Sequence, residues 1–265
     1  MYFKVSFSLV FVAILVKLVA IYFTQFNLFG DEAQYWLWSQ NLDFGYYSKP
    51  PLLAWITKLF TFFLGNSFEA IKLIPFVMYF FSSYAIYLLS YELFLNRNLA
   101  LISGVSFYLI PAVSVSSFLL STDVVLILLW TMCLLVLIKI KKNPKKINFL
   151  ILGIFLGLAF LAKYAAIYFV LSLLLFLFVE EKTRKIFLKN LFRSLLFLFS
   201  CILILLPNII WNIQNEWITI DHTAKNIGIK NLNFHFLQGF EFLFSQLLMM
   251  GPLLSLFFVF FIKKL

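Results

Sequence analysis

Charged side chains are scarce. Asp, Glu, Lys and Arg make up 12% of the 265 residues, about half the share a soluble domain carries, which excludes a globule surrounded by water. Cysteine is nearly absent: Cys133 and Cys201 both sit inside apolar runs, leaving no disulfide framework and no thiolate metal spacing. Glycine and histidine are sparse, and no Walker loop, dinucleotide-binding glycine motif or HExxH helix occurs. Acidic residues are also few, 11 against 21 basic ones, for a net charge of +10. Such a balance would suit nucleic acid if it were patterned as a patch. Here the lysines gather in short linkers between apolar runs, as orientation in a membrane and attraction to anionic lipid require.

What the chain has instead is hydrophobic length: 63% of residues are apolar and the mean hydropathy is +1.00. Read in windows of about 20 residues, it holds about eight spans, over 5–25, 70–94, 99–118, 122–140, 147–162, 164–180, 188–210 and 241–262. The first follows an early Lys4 and has no small-residue cleavage site after it, so it reads as a retained span rather than a signal peptide. The segment 52–64 is apolar but too short to cross, and it reads as an interfacial amphipathic helix. Lysine and arginine cluster at 139–146, 182–193 and 263–264, against isolated Lys49, Lys58, Lys72, Lys225 and Lys230 on the alternate side. That asymmetry places both termini in the cytoplasm and residues 31–55 outside. Gly153 and Gly157 have the spacing that lets two membrane helices approach closely.

Residues 31–55, DEAQYWLWSQNLDFGYYSKPPLLAW, form the one long polar-aromatic island. At a membrane boundary charge is cheap and aromatic rings are favoured. Asp31 or Glu32 would there hydrogen-bond a hydroxyl and take its proton as it attacks; the same pair would equally cap a helix beginning near Ala33. Lys49, restrained by Pro50 and Pro51, would hold an anionic head group and stabilise charge on a leaving phosphate, or simply snorkel. Asp123 borders the outer end of a span, where a carboxylate is often functional and also where helices are capped. Lys163 and Tyr164 lie between two spans. Trp211, Asn212 and Trp217 would stack on and hydrogen-bond a sugar, or form an interfacial aromatic belt. His222, beside Asp221, reads as a solvated loop histidine.

The order of acidic pair, aromatic run and Pro-Pro resembles the first extracytoplasmic loop of the polytopic GT-C glycosyltransferases, the class akin to protein O-mannosyltransferases and lipid A aminoarabinose transferases. The STD run at Asp123, the Lys163-Tyr164 pair after a glycine-containing helix, and PNIIWN at 207–212 resemble further segments of the same family. The resemblance implies an all-α GT-C-like bundle and a sugar taken from a polyprenyl-phosphate carrier. It implies a glycolipid (lipid A among them) or protein acceptor, and a site outside a bacterial inner membrane. It assigns catalysis to Asp31, support or acceptor contact to Glu32 and Asp123, and donor phosphate to Lys49 and Lys163. Tyr35, Tyr46, Tyr164, Trp211 and Asn212 become sugar or interface contacts. No cofactor is called for; related sequences often carry an acidic residue or His, some metal-linked, near the place where Ser48 stands here, which leaves a divalent metal open. Family members usually continue with more spans, so residues 1–265 read as one domain, either a fragment lacking a C-terminal portion or a reduced form. The rival reading is a polyprenyl-lipid translocase or binding subunit without chemistry, which would place charge along a path through the membrane.

Overall fold

The computed structural model describes residues 2–23, 27–227, 236–251 and 254–256. In chain order these form α1 (Tyr2–Phe23), α2 (Gly30–Gln40), α3 (Leu52–Leu64), α4 (Phe68–Phe94), α5 (Arg97–Leu109) and α6 (Pro111–Ser116). Then come α7 (Thr122–Lys142), α8 (Lys146–Ala162), a 3₁₀ turn at Tyr164–Ala166, α9 (Ile167–Val179), α10 (Glu181–Lys189), α11 (Leu191–Gln214), α12 (Ile218–Ile227) and α13 (Phe236–Met250). No strand occurs among the described residues.

Three helices, α4, α7 and α11, are long and apolar enough to cross a membrane unaided. The segments 164–179 and 181–189 make a fourth if taken as one span bent by 103°. The protein is therefore an all-helical integral membrane protein with three or four candidate spans among the described residues. The expected single span over 99–118 is instead two helices, α5 of 13 residues and α6 of 6. Pro111 causes the break: it forces Ile110 into an extended conformation (ψ 145°) and so stops the preceding helix. Part of the expected span 241–262, together with Lys230, His235, Lys263 and Lys264, lies outside the described residues.

Helix starts follow local chemistry. Ser67 accepts a hydrogen bond from the Ala70 N–H at 3.2 Å, and Asn96 accepts from Asn98 and Leu99 at 2.9 and 3.2 Å, satisfying donors that a helix leaves unpaired. In space the core helices form a row in which α5 adjoins α4, α4 adjoins α7, α7 adjoins α8 and α8 adjoins α11, while α1 leans on α5 and α4. The α8–α11 contact is close because glycine makes it so. A Cβ on Gly153 would sit 1.9 Å from Ser200 Oγ and 2.2 Å from the Phe197 carbonyl oxygen. Phe149, Leu152, Leu156, Cys133 and Ile140 fill one core. A second, of Tyr35, Leu53, Ile74, Leu120, Ala159 and Ala162, fastens α2 and α3 to the bundle. Outward faces stay apolar, as Phe63, Phe178 and Phe192 show, in keeping with lipid as the surrounding solvent.

Candidate active site

Helix α2 begins three residues earlier than the sequence suggests, and its first turn separates the two acidic neighbours. Phe29 is extended, and its N–H donates to Glu32 Oε2 at 2.9 Å. Glu32 then points inward and is 1% exposed. Its Oε1 and Oε2 accept from Lys72 Nζ at 2.8 and 2.6 Å, and Oε1 also accepts from the Leu120 N–H at 2.8 Å. Lys72 donates once more, to the Phe118 carbonyl at 2.9 Å, and lies 5.2 and 5.4 Å from the Phe29 and Phe68 ring centres. A charge pair this deep is tolerated because every partner is present; losing one member of such a pair typically costs about 3–5 kcal/mol. Reading the sequence counts Lys72 only toward topology. The available signal was a lysine in the second turn of an otherwise apolar span, which needs a partner.

Asp31 faces the other way. It is exposed, and its carboxylate makes no hydrogen bond or ion pair among the described residues. One turn along α2, Tyr35 is 1% exposed, and burial first, then the charges of Asp31 and Asp123, push its hydroxyl well above the usual phenol range. Both carboxylates thus act on one phenol, which stays protonated at any working pH. Asp123 does not need to cap α7: its oxygens accept from Lys163 Nζ at 2.7 and 2.9 Å. Lys163 reaches it because the chain breaks there, extended (φ −160°, ψ 133°) between α8 and the 3₁₀ turn. The pair is open to solvent, 36% and 54% exposed, so it is worth at most about 1 kcal/mol and can be exchanged for a ligand.

Residues 41–51 form a loop that is pinned at many points. Asp43 is its hub. Its Oδ1 accepts from the Phe44 N–H at 2.7 Å, its Oδ2 from Trp211 Nε1 at 2.7 Å, and its carbonyl from Trp55 Nε1 at 2.9 Å. Tyr46 stacks on Trp38 at 4.6 Å, its hydroxyl accepts from the Asp43 N–H at 3.1 Å, and burial raises its pKa. From α11, Asn208 donates to the Phe44 carbonyl at 2.6 Å, and from α12, Thr219 donates to that of Tyr46 at 2.5 Å. Tyr164 donates to Asn208 Oδ1 at 3.1 Å and accepts from Asn212 Nδ2 at 3.0 Å. Gly45 lies against the Trp211 ring, where a Cβ would be 2.3 Å from Cε3. Tyr46, Tyr164, Trp211 and Asn212 are therefore gathered into one cluster whose visible work is to hold this loop. Lys49, half-buried within the loop, has no ion-pair partner among the described residues. Trp211→Phe keeps an aromatic ring but loses part of the indole packed on Gly45 and the N–H bond to Asp43, the bond alone worth about 1.5 kcal/mol for a charged acceptor. Proteolytic cleavage within 41–51 should accelerate about 10-fold, measured by limited digestion of the detergent-solubilised protein.

Among the described residues no three His, Cys, Asp or Glu side chains converge to hold an ion. His222 is taken up by Asn226 at 3.3 Å and the Tyr47 ring at 4.9 Å. Among the described residues the arrangement offers one carboxylate without a hydrogen-bond partner, a second paired with an exposed ammonium, and a lysine without an ion-pair partner in a pinned loop. That set can accept a proton from a hydroxyl and hold a phosphate.

The family model for dolichyl-phosphate-mannose-protein mannosyltransferases matches residues 48–211. A lipid A galacturonosyltransferase of Rhizobium johnstonii is 30% identical over 243 residues, covering 90% of this chain and 50% of that protein. An undecaprenyl phosphate-α-4-amino-4-deoxy-L-arabinose arabinosyl transferase of Wigglesworthia glossinidia brevipalpis is 29% identical over 181 residues, 60% of this chain and 32% of that protein. The chain thus spans half or less of the length of these relatives. No solved structure matches it. With the family model covering more than half of its residues, the chain belongs to the dolichyl-phosphate-mannose-protein mannosyltransferase family of polytopic, polyprenyl-phosphate-sugar-dependent membrane glycosyltransferases.

Proposed function

We propose that the protein transfers one sugar from a polyprenyl-phosphate carrier to an extracytoplasmic acceptor, with lipid A or another glycolipid favoured over protein. The observation that carries this reading is the exposed Asp31 carboxylate, without a partner among the described residues and fixed by the buried Glu32 one residue along the same helix turn. Asp31 takes the proton of the acceptor hydroxyl while that oxygen bonds to the anomeric carbon. The bond from that carbon to the carrier's phosphate oxygen breaks, and polyprenyl phosphate leaves with the electron pair. Lys49 and Lys163 hold the phosphate and stabilise its charge, Lys163 exchanging Asp123 for it in part. Glu32 serves as support, since both its oxygens are already occupied.

The glycolipid acceptor is supported by one relative, named for galacturonosyl transfer to lipid A, and the undecaprenyl carrier by the other. An apolar cavity of about 490 Å³ beside Phe29, Phe68 and Phe118 offers room for part of a lipid chain. The positive linkers support cytoplasmic termini and an outer site in a bacterial inner membrane; about eight crossings would follow with the shorter apolar helices counted and α5 with α6 taken as one broken crossing. Helix α3 suits the interface, its buried Leu53, Ala54, Thr57 and Thr61 facing the bundle. The protein in vesicles, given an undecaprenyl-phosphate pentose or uronic acid and lipid A, should add one sugar mass to lipid A. Donor binding or movement across the bilayer without any such product would favour the translocase reading instead.

A further inference from the structure

We infer that Lys72 is a positioning residue for transfer: with Glu32 it locks the helix carrying Asp31 to the segment carrying Asp123. This rests on the proposed transfer reaction. Three elements meet at the pair. Glu32 belongs to the first turn of α2, beside Asp31; Lys72 belongs to α4; Leu120 and Phe118 belong to the connection that leads into α7, three and five residues before Asp123. The Glu32 carboxylate takes a bond from each element, Phe29 N–H at 2.9 Å, Leu120 N–H at 2.8 Å and Lys72 at 2.6 Å. The ammonium spends its donors on Glu32 and on the Phe118 carbonyl. At 4% and 1% exposure the two side chains are nearly enclosed, Lys72 showing only an edge to the apolar cavity beside Phe29, Phe68 and Phe118. Because the polar atoms of the pair are all engaged within the protein, it acts through the geometry it imposes on its neighbours.

An apolar pair of similar volume would fill the same space and hold the helices together, but it would offer nothing to the Leu120 N–H or the Phe118 carbonyl. The registration of Asp31 against Asp123 would then relax. A shift of about 1 Å at a reacting group can cost about 100-fold in rate.

The test compares wild type, Lys72→Met, Lys72→Arg and the double variant Glu32→Met/Lys72→Met in vesicles, with kcat and donor KM measured separately and melting temperature alongside. Lys72→Met should lose about 100-fold in kcat with donor KM within about 3-fold, and Lys72→Arg, which can still grip the carboxylate, should recover most of it. The double variant should regain wild-type melting temperature, since apolar replacement of a buried pair is often neutral or stabilising, while kcat stays low. Recovery of both would show that the pair only stabilises the fold, and a raised KM with unchanged kcat would place Lys72 on the donor. A second arm does not depend on the reaction. Spin labels at Ala33→Cys and Ser121→Cys, in a Cys133→Ala/Cys201→Ala background, should give a narrow distance distribution that broadens in the double variant. An unchanged distribution would overturn the inference even if transfer itself is confirmed, whereas a wild type without transfer but with the broadening would overturn only the reaction.

Discussion

Asp31→Asn should lower sugar transfer by about 10²- to 10⁴-fold, the range a positioned general base contributes. Donor binding should stay within about 3-fold of wild type. The change removes a proton acceptor and keeps shape, and among the described residues Asp31 is bonded to nothing that an amide would disturb. It leaves the helix start intact, because Glu32 rather than Asp31 accepts the Phe29 N–H. Folding and lipid association should therefore be unaffected, and the loss should fall on kcat. The measurement is single-turnover transfer with saturating donor, set beside equilibrium binding of the same donor. Wild-type turnover in the asparagine variant would remove Asp31 from the chemistry and move attention to Asp123. Glu32→Gln offers the contrast: it should lower melting temperature as well, because it weakens a buried ion pair.

Gly153→Ala should destabilise the bundle by about 3 kcal/mol or more, at or beyond the upper end for overpacking, although it adds a single methyl group. The new carbon would fall 2.2 Å from the Phe197 carbonyl oxygen. That atom is backbone and cannot rotate aside, and the Ser200 hydroxyl at 1.9 Å is itself tied to the Leu150 and Phe197 carbonyls. Helices α8 and α11 would have to separate along their length. Gly239→Ala in α13, where a Cβ meets nothing within 4 Å, should be neutral or slightly stabilising from helix propensity. Melting temperature and the monodisperse fraction in detergent separate the two. Equal behaviour would mean that the helices are not in contact at Gly153.

The expectations drawn from sequence succeed where one local signal decides. Hydropathy finds α4, α7 and α11, and the GxxxG spacing finds the contact with α11 because small residues at that period have few other uses in a membrane helix. Asp31 and Asp123, both singled out in the sequence, lie within electrostatic reach of the Tyr35 hydroxyl; their part in the reaction is the proposal that the Asp31→Asn variant tests. It does not show that the two members of the acidic pair point in opposite directions, since helix phase depends on where the first turn starts. That start is set by Phe29 and by bonds from residues far along the chain. Lys72 and Asp43 were hidden for a related reason. Each owes its role to partners that lie far off in sequence, Glu32 for one and Trp211 for the other. Periodicity carries no trace of such pairings. The break at Pro111 has a local signal, but total hydropathy outweighs it, so 99–118 reads as one continuous helix where the fold has two.

The bond from Trp211 to Asp43 joins residues 168 positions apart, and this has a consequence for biosynthesis. At about 5–20 residues per second on the ribosome, roughly 10–30 s separate the appearance of Asp43 from that of the helix that fastens it. Through that interval the first loop, translocated in the proposed topology, lacks its clamp and is open to proteases and chaperones. A nascent chain arrested before residue 208 should accordingly be nicked in this loop, and one released after residue 219 should resist.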